Sequence, residues 1–159
     1  MYTPAATLSL KGRALRALAA REHSRAELQR KLASFETEPG ELAKVLDELC
    51  AKDFINEQRV ADSLAYRRGA KLGTARVVQE LKAKGVEPGA VLEAAAALKI
   101  TELERAREVW RKKFGAPAED AAGRMKQMRF LASRGFASEV IRKAVAGADD
   151  MDLVHSQDD

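Results

Sequence analysis

The chain has 159 residues, 46% hydrophobic, 33% charged and only 5% aromatic, a length that suits one domain with a sizeable core. A single cysteine, Cys50, excludes an intramolecular disulfide. No apolar run reaches the roughly 20 residues of a membrane span, and the N-terminus lacks the regions of a signal peptide, so no membrane contact and a reducing, cytoplasmic location are expected.

Alternating strand-like runs are absent and helical spacing recurs throughout. Leu8, Leu15, Leu18 and Ala19 mark a first helix that His23 closes. Ser24 and Glu27 form a capping box that starts a second, with Leu28, Leu32 and Phe35 on one face. A third, entered near Pro39, carries Leu42, Val45, Leu46, Leu49 and Cys50. Asn56 is an N-cap with Ile55 and Val60 as its hydrophobic staple, and Val60, Leu64 and Ala65 continue inward. Gly73 and Thr74 begin a helix with Val77, Val78 and Leu81 inward, which Gly85 and Val86 end as a C′ glycine with its apolar contact. A helix with Val91, Leu92, Ala95 and Leu98 follows. Thr101 and Glu104 read as a new capping box before Leu103, Ala106, Trp110 and Phe114. Met128 and Leu131 lie on the next helix, which ends at Gly135-Phe136, and Ser138 is expected to cap a last one with Ile141 and Val145.

Leu32, Leu81 and Leu131 are separated by steps of 49 and 50 residues, Gly85-Val86 falls on Gly135-Phe136, and Val91 falls on Ile141. This spacing predicts an all-α fold of three tandem three-helix repeats in an elongated, curved array. The expected divisions are 7–54, 55–99 and 100–147, followed by an acidic, disordered tail over 148–159.

Charge is unevenly spread. The last eleven residues, from Asp149, hold five acids and no Lys or Arg, so residues 1–148 carry 28 bases against 19 acids, a net of +9. Most of the bases fall on first and second helices, where Arg67, Arg68, Lys71, Arg76 and Lys82 of the second repeat join those of the first and third in a candidate basic stripe. The same residues also read as solvated helix faces offset by Glu22, Glu27, Glu80, Glu102 and Glu108; the +9 excess favours a surface for polyanions or acidic protein.

Catalytic readings find little material. Of two histidines, His23 is expected to be a helix terminator or surface residue, and His155 lies in the tail. Cys50 falls on an apolar stripe with no base beside it. Gly69 and Gly73 lack a preceding strand and any nucleotide fingerprint. Trp110 and Phe114 are at core spacing, and so few aromatics argue against a base-stacking platform. No catalytic residue, metal or cofactor is expected, and the chain is read as one that works by binding.

Three stretches resemble the signature segments of the RecX family, bacterial regulators of the RecA recombinase. They are REHSRAELQRKLA from Arg21, GTARVVQELKAKGV over Gly73 to Val86, and RFLASRGF over Arg129 to Phe136, in order and spacing over roughly residues 8–147. The resemblance implies three three-helix repeats that bind in the helical groove of the RecA filament on single-stranded DNA. It also implies suppression of the recombinase, ATPase and coprotease activities, and so modulation of recombination, DNA repair and the SOS response. Carried onto this chain, the implied contacts are Arg21, Arg25, Arg30 and Lys31 in the first segment, Arg76 in the second, and Arg129 and Arg134 in the third. The family's basic, Tyr-containing turn before the second signature helix here reads Ala70-Lys71-Leu72-Gly73-Thr74, with Arg67, Arg68 and Lys71 keeping charge nearby, and a common basic position within that helix is Val78. Single- and double-stranded DNA are further candidate partners through phosphate contacts, a monomer is expected, and the alternative reading is a sequence-independent DNA-binding module.

Overall fold

Side-chain caps at Ser24 and Asn56 start helices where the sequence expects them. The computed structural model describes residues 7–146, and the acidic tail expected over 148–159 lies outside the described residues. Within 7–146 the chain forms eight α-helices and no strand: α1 (Leu10–Ala20), α2 (Arg25–Leu32), α3 (Glu41–Ala51), α4 (Glu57–Gly69), α5 (Thr74–Ala83), α6 (Pro88–Lys113), α7 (Ala121–Ser133) and α8 (Ser138–Ala146). Ser9, Ser24, Asn56 and Asp120 each accept a backbone N–H of the first turn through the side chain, and Ser24 with Glu27 completes the capping box. Gly85 and Gly135 adopt left-handed φ of 68° and 88° just past α5 and α7. The N–H groups of Val86 and Phe136 then return to the carbonyls of Leu81 and Leu131, the Schellman arrangement that satisfies the last turn.

Three hydrophobic clusters follow one another along the chain. Leu28, Leu32, Leu42, Leu46 and Leu49 centre the first, Val60, Leu64, Val77, Leu81 and Leu98 the second, and Trp110, Leu131, Phe136 and Ile141 the third. The architecture is therefore all-α, three three-helix repeats in series. One departure concerns the third helix of repeat 2 and the first of repeat 3, which are a single 26-residue helix, α6. Nothing between Leu98 and Thr101 breaks a helix, and the expected capping box at Thr101 does not form. Instead the Thr101 hydroxyl donates back to the Leu98 carbonyl, the in-helix alternative open to a threonine.

Further expectations are corrected. Leu92 is 71% exposed because Ala90, Val91, Ala94 and Leu98 take the inward face of α6. Leu8 precedes α1 and is exposed, leaving Leu10, Ala14 and Ala17 as that helix's buried side. Phe35 leaves the core because α2 tightens into a 3-10 turn over Ala33–Phe35, which rotates it outward. His23 is only 2% exposed, neither surface residue nor simple terminator. Ser138 is the first residue of α8 rather than its cap.

The repeats are joined by one device used twice. The Ser24 hydroxyl at the start of α2 donates to the Lys84 carbonyl at the end of α5, and the Gly73 N–H at the start of α5 donates to the Arg134 carbonyl at the end of α7 (2.8 Å). A carboxylate from the next repeat completes each joint: Glu57 accepts the Arg25 N–H at 3.0 Å, and buried Glu102 accepts the Thr74 N–H at 2.8 Å. The second helices thus run head to tail, positive dipole end against negative. At the second joint the backbones pack so closely that a Cβ on Gly73 would meet the carbonyl of Gly135.

Candidate nucleic-acid and partner interface

A cation serves an external anion only if the fold leaves it without a partner, and the eleven candidate residues divide on that criterion. Three are held by carboxylates. Arg21 pairs with Glu27 at 2.8 Å, Arg25 with Asp47 at 2.7 Å, and Arg68 makes a two-pronged pair with Glu80 at 2.9 and 3.1 Å. Glu80 holds the Arg68 proton more firmly than usual; for Arg25, the loss of hydration is outweighed by Asp47 and Cys50, so its pKa is raised as well. Two more reach across the joints: Arg30 donates to the Ala83 carbonyl at 3.2 Å and Arg76 to the Ser133 carbonyl at 3.0 Å. These are equivalent positions in the last turns of α5 and α7, where a cation meets the negative end of the helix.

The remaining six, Lys31, Arg67, Lys71, Lys82, Arg129 and Arg134, are exposed and form no ion pair among the described residues. Lys31, Lys82, Arg129 and Arg134 belong to α2, α5 and α7 or the residue that caps α7, the head-to-tail second helices. Arg67 and Lys71 flank the end of α4.

Arg105, a further base on α6, is structural. Its guanidinium donates to the carbonyls of Gly69 (2.7 Å), Leu72 and Leu98 (2.9 Å), fixing the α4–α5 turn against α6, and burial lowers its pKa. Sequence reasoning missed the aromatic companions of the free cations. The Arg13 guanidinium lies over the Phe35 ring, and the Lys113 ammonium and the Arg134 guanidinium flank Phe130. The available signal was a phenylalanine set among bases near the end of a second helix. Among the described residues no group of three or more His, Cys, Asp or Glu could hold a metal ion, and no helix is long and apolar enough to cross a membrane.

Comparison with known proteins gives the same architecture a lineage. Residues 11–49 match the family model for the first three-helix domain of RecX and residues 101–145 that for the third. The chain is 53% identical to the regulatory protein RecX of Leptothrix cholodnii over 142 residues, 89% of this chain and 90% of that one. It is 50% identical to that of Herminiimonas arsenicoxydans over 138 residues, 87% and 91% of the two chains. In three dimensions it is similar to the crystal structure of RecX from Lactobacillus salivarius, with a TM-score of 0.76 at 18% identity over 91% of this chain and 95% of that one. Identity of this order across most of both chains, on a shared arrangement of three-helix repeats, places the chain in the RecX family of regulatory proteins.

Proposed function

We propose that this chain binds RecA filaments on single-stranded DNA, lying in the helical groove and suppressing recombinase, ATPase and coprotease activities. The observation that carries the reading is the set of six exposed cations that have no carboxylate partner among the described residues and lie on or beside the serial second helices. Repeats in series let one chain touch neighbouring subunits, so each weak contact raises the effective concentration of the next. Bridged subunits resist the movements that turnover and strand exchange require. The bases face filament DNA phosphate, acidic recombinase surface, or both.

The test is the ATPase rate of RecA filaments titrated with this protein below and above one molecule per subunit. Inhibition that scales with added protein is expected, and its stoichiometry distinguishes end-capping from groove coating. Unchanged turnover together with a shift of bare DNA overturns the filament reading in favour of a sequence-independent DNA-binding module.

A further inference from the structure

Two open clefts, in different repeats, combine cations with a phenylalanine. The first, about 390 Å³, lies between α1 and the end of α2 and is lined chiefly by Leu8, Arg13, Arg16, Lys31, Leu32 and Phe35. The Arg13 guanidinium carbon sits 3.8 Å from the Phe35 centroid, and Phe35 is still 45% exposed, so ring surface remains open beyond the guanidinium. The second, about 290 Å³, lies where repeats 2 and 3 meet and is lined chiefly by Lys71, Val109, Lys112, Lys113, Phe130 and Arg134. There Arg134 and Lys113 stand 4.9 and 5.5 Å from the Phe130 centroid, and Phe114 meets that ring edge-on at 5.4 Å. Arg13, Arg16, Lys31, Lys71, Lys113 and Arg134 form no ion pair among the described residues; Lys112 approaches Glu108 at 3.6 Å.

We propose that both clefts are subsites for single-stranded nucleic acid, each taking a phosphate on its cations and an unpaired base against its phenylalanine and the arginine beside it. The inference rests on the reading that the basic surface meets filament DNA, and adds that the bases themselves are contacted. A nucleotide carries an anion and a flat π face in one unit, which is the pair of features each cleft presents. An acidic peptide supplies the charge but no obligatory ring, and a duplex keeps its bases stacked on one another. Phenylalanine is scarce here, five in the chain, and two of the five stand against cations in open clefts.

The test uses the full chain without recombinase and reads fluorescence anisotropy of labelled oligothymidylate, an abasic oligomer of equal length and phosphate count, and a duplex of the same length. Tighter binding of oligothymidylate than of the abasic strand, by about fivefold or more, is expected from one base–aromatic stack, with the duplex weaker still. Phe35→Leu keeps apolar bulk while removing an exposed ring, so it should shrink that gap without lowering the thermal midpoint appreciably; Phe130→Leu should shrink it as well, with some loss of midpoint because that ring also packs on Phe114 and the third core; Arg134→Gln should weaken both strands. Equal affinity for abasic and base-bearing strands overturns the proposal, as does competition by polyglutamate as effective as that of oligothymidylate at matched charge. Because no recombinase is present, the base effect can vanish while ATPase inhibition persists, or persist while inhibition is absent, so failure here and failure of the filament reading are told apart.

Discussion

His23 is the residue whose chemistry departs furthest from its sequence reading. It precedes the Ser24 cap, its Nδ1 faces the Arg21 carbonyl at 3.0 Å, and its buried Nε2 has no partner among the described residues. Loss of hydration disfavours the imidazolium and lowers the pKa; the Arg21 carbonyl and Glu27 act the other way, and Arg21 and Lys31 add to the lowering. In the unfolded chain the ring protonates near its ordinary 6.5, so below that pH the unfolded state binds the extra proton and stability falls until the lower folded value is passed. Urea midpoints should therefore drop between pH 7.5 and 5.5, and His23→Leu should flatten that segment of the profile. Carboxylates held low by cations act in a separate, more acid window: Glu48, between Lys11 and Lys52, has its pKa lowered to about 2. Its contribution is present above the ordinary carboxylate range and is lost as pH falls through that lowered value. The sequence displayed His23 at a helix boundary but carried no sign of its burial, because the covering surface comes from long-range packing.

At the scale of elements, helix starts were legible and helix continuity was not. Ser24, Asn56, Gly85 and Gly135 carry local chemistry that acts within a turn, and each does in the structure what its neighbours in sequence imply. Thr101 and Glu104 present the same local pattern, yet the chain runs on, since a cap pattern without a helix breaker leaves the choice to packing on both sides. α6 supplies Val91 and Leu98 to one core and Ala106 and Trp110 to the next, so repeats 2 and 3 should open together. Ile100, 85% exposed near the middle of α6, offers a clean test because its side chain packs on little. Ile100→Pro should cost about 3 kcal/mol or more through the backbone alone, and native-state hydrogen exchange should then show repeats 2 and 3 opening separately. Glu102→Ala should leave the Thr74 N–H at the second joint unmatched, lowering stability by about 1–3 kcal/mol in denaturant melts. The joints themselves were invisible in the sequence: a serine or glycine donor, a carboxylate and a carbonyl some 30 to 60 residues apart share no local pattern.

For the whole molecule, composition gave the sign of the surface but not the division of its charges. A run such as Arg25, Arg30 and Lys31 looks uniform in sequence. In the fold the first is bound to Asp47, the second to a helix end, and the third forms no ion pair among the described residues. Replacing Lys31, Arg67 and Lys82 together with Gln should weaken filament affinity with only a small drop in thermal midpoint, the loss of three cations from last helical turns. Arg25→Glu should lower the midpoint instead, because it sets a carboxylate against Asp47. If DNA phosphate is the main counterpart, affinity should fall with salt at a log–log slope near −0.7 per neutralised phosphate on single strands.

The twice-used joint also sets the chemistry that an end of the array would need to receive a neighbour. A further repeat before the first would need a left-handed glycine behind α2 to receive it, and α2 instead runs into the 3-10 turn of Ala33–Phe35. A further repeat after the last would press its carbonyl end on the start of α7. There Asp120, an acceptor without a proton to give, already holds the Gly123 N–H at 2.7 Å and would repel that carbonyl. Neither end of the described array therefore offers the pairing of a left-handed glycine turn with a proton-giving helix start that joins the repeats within it.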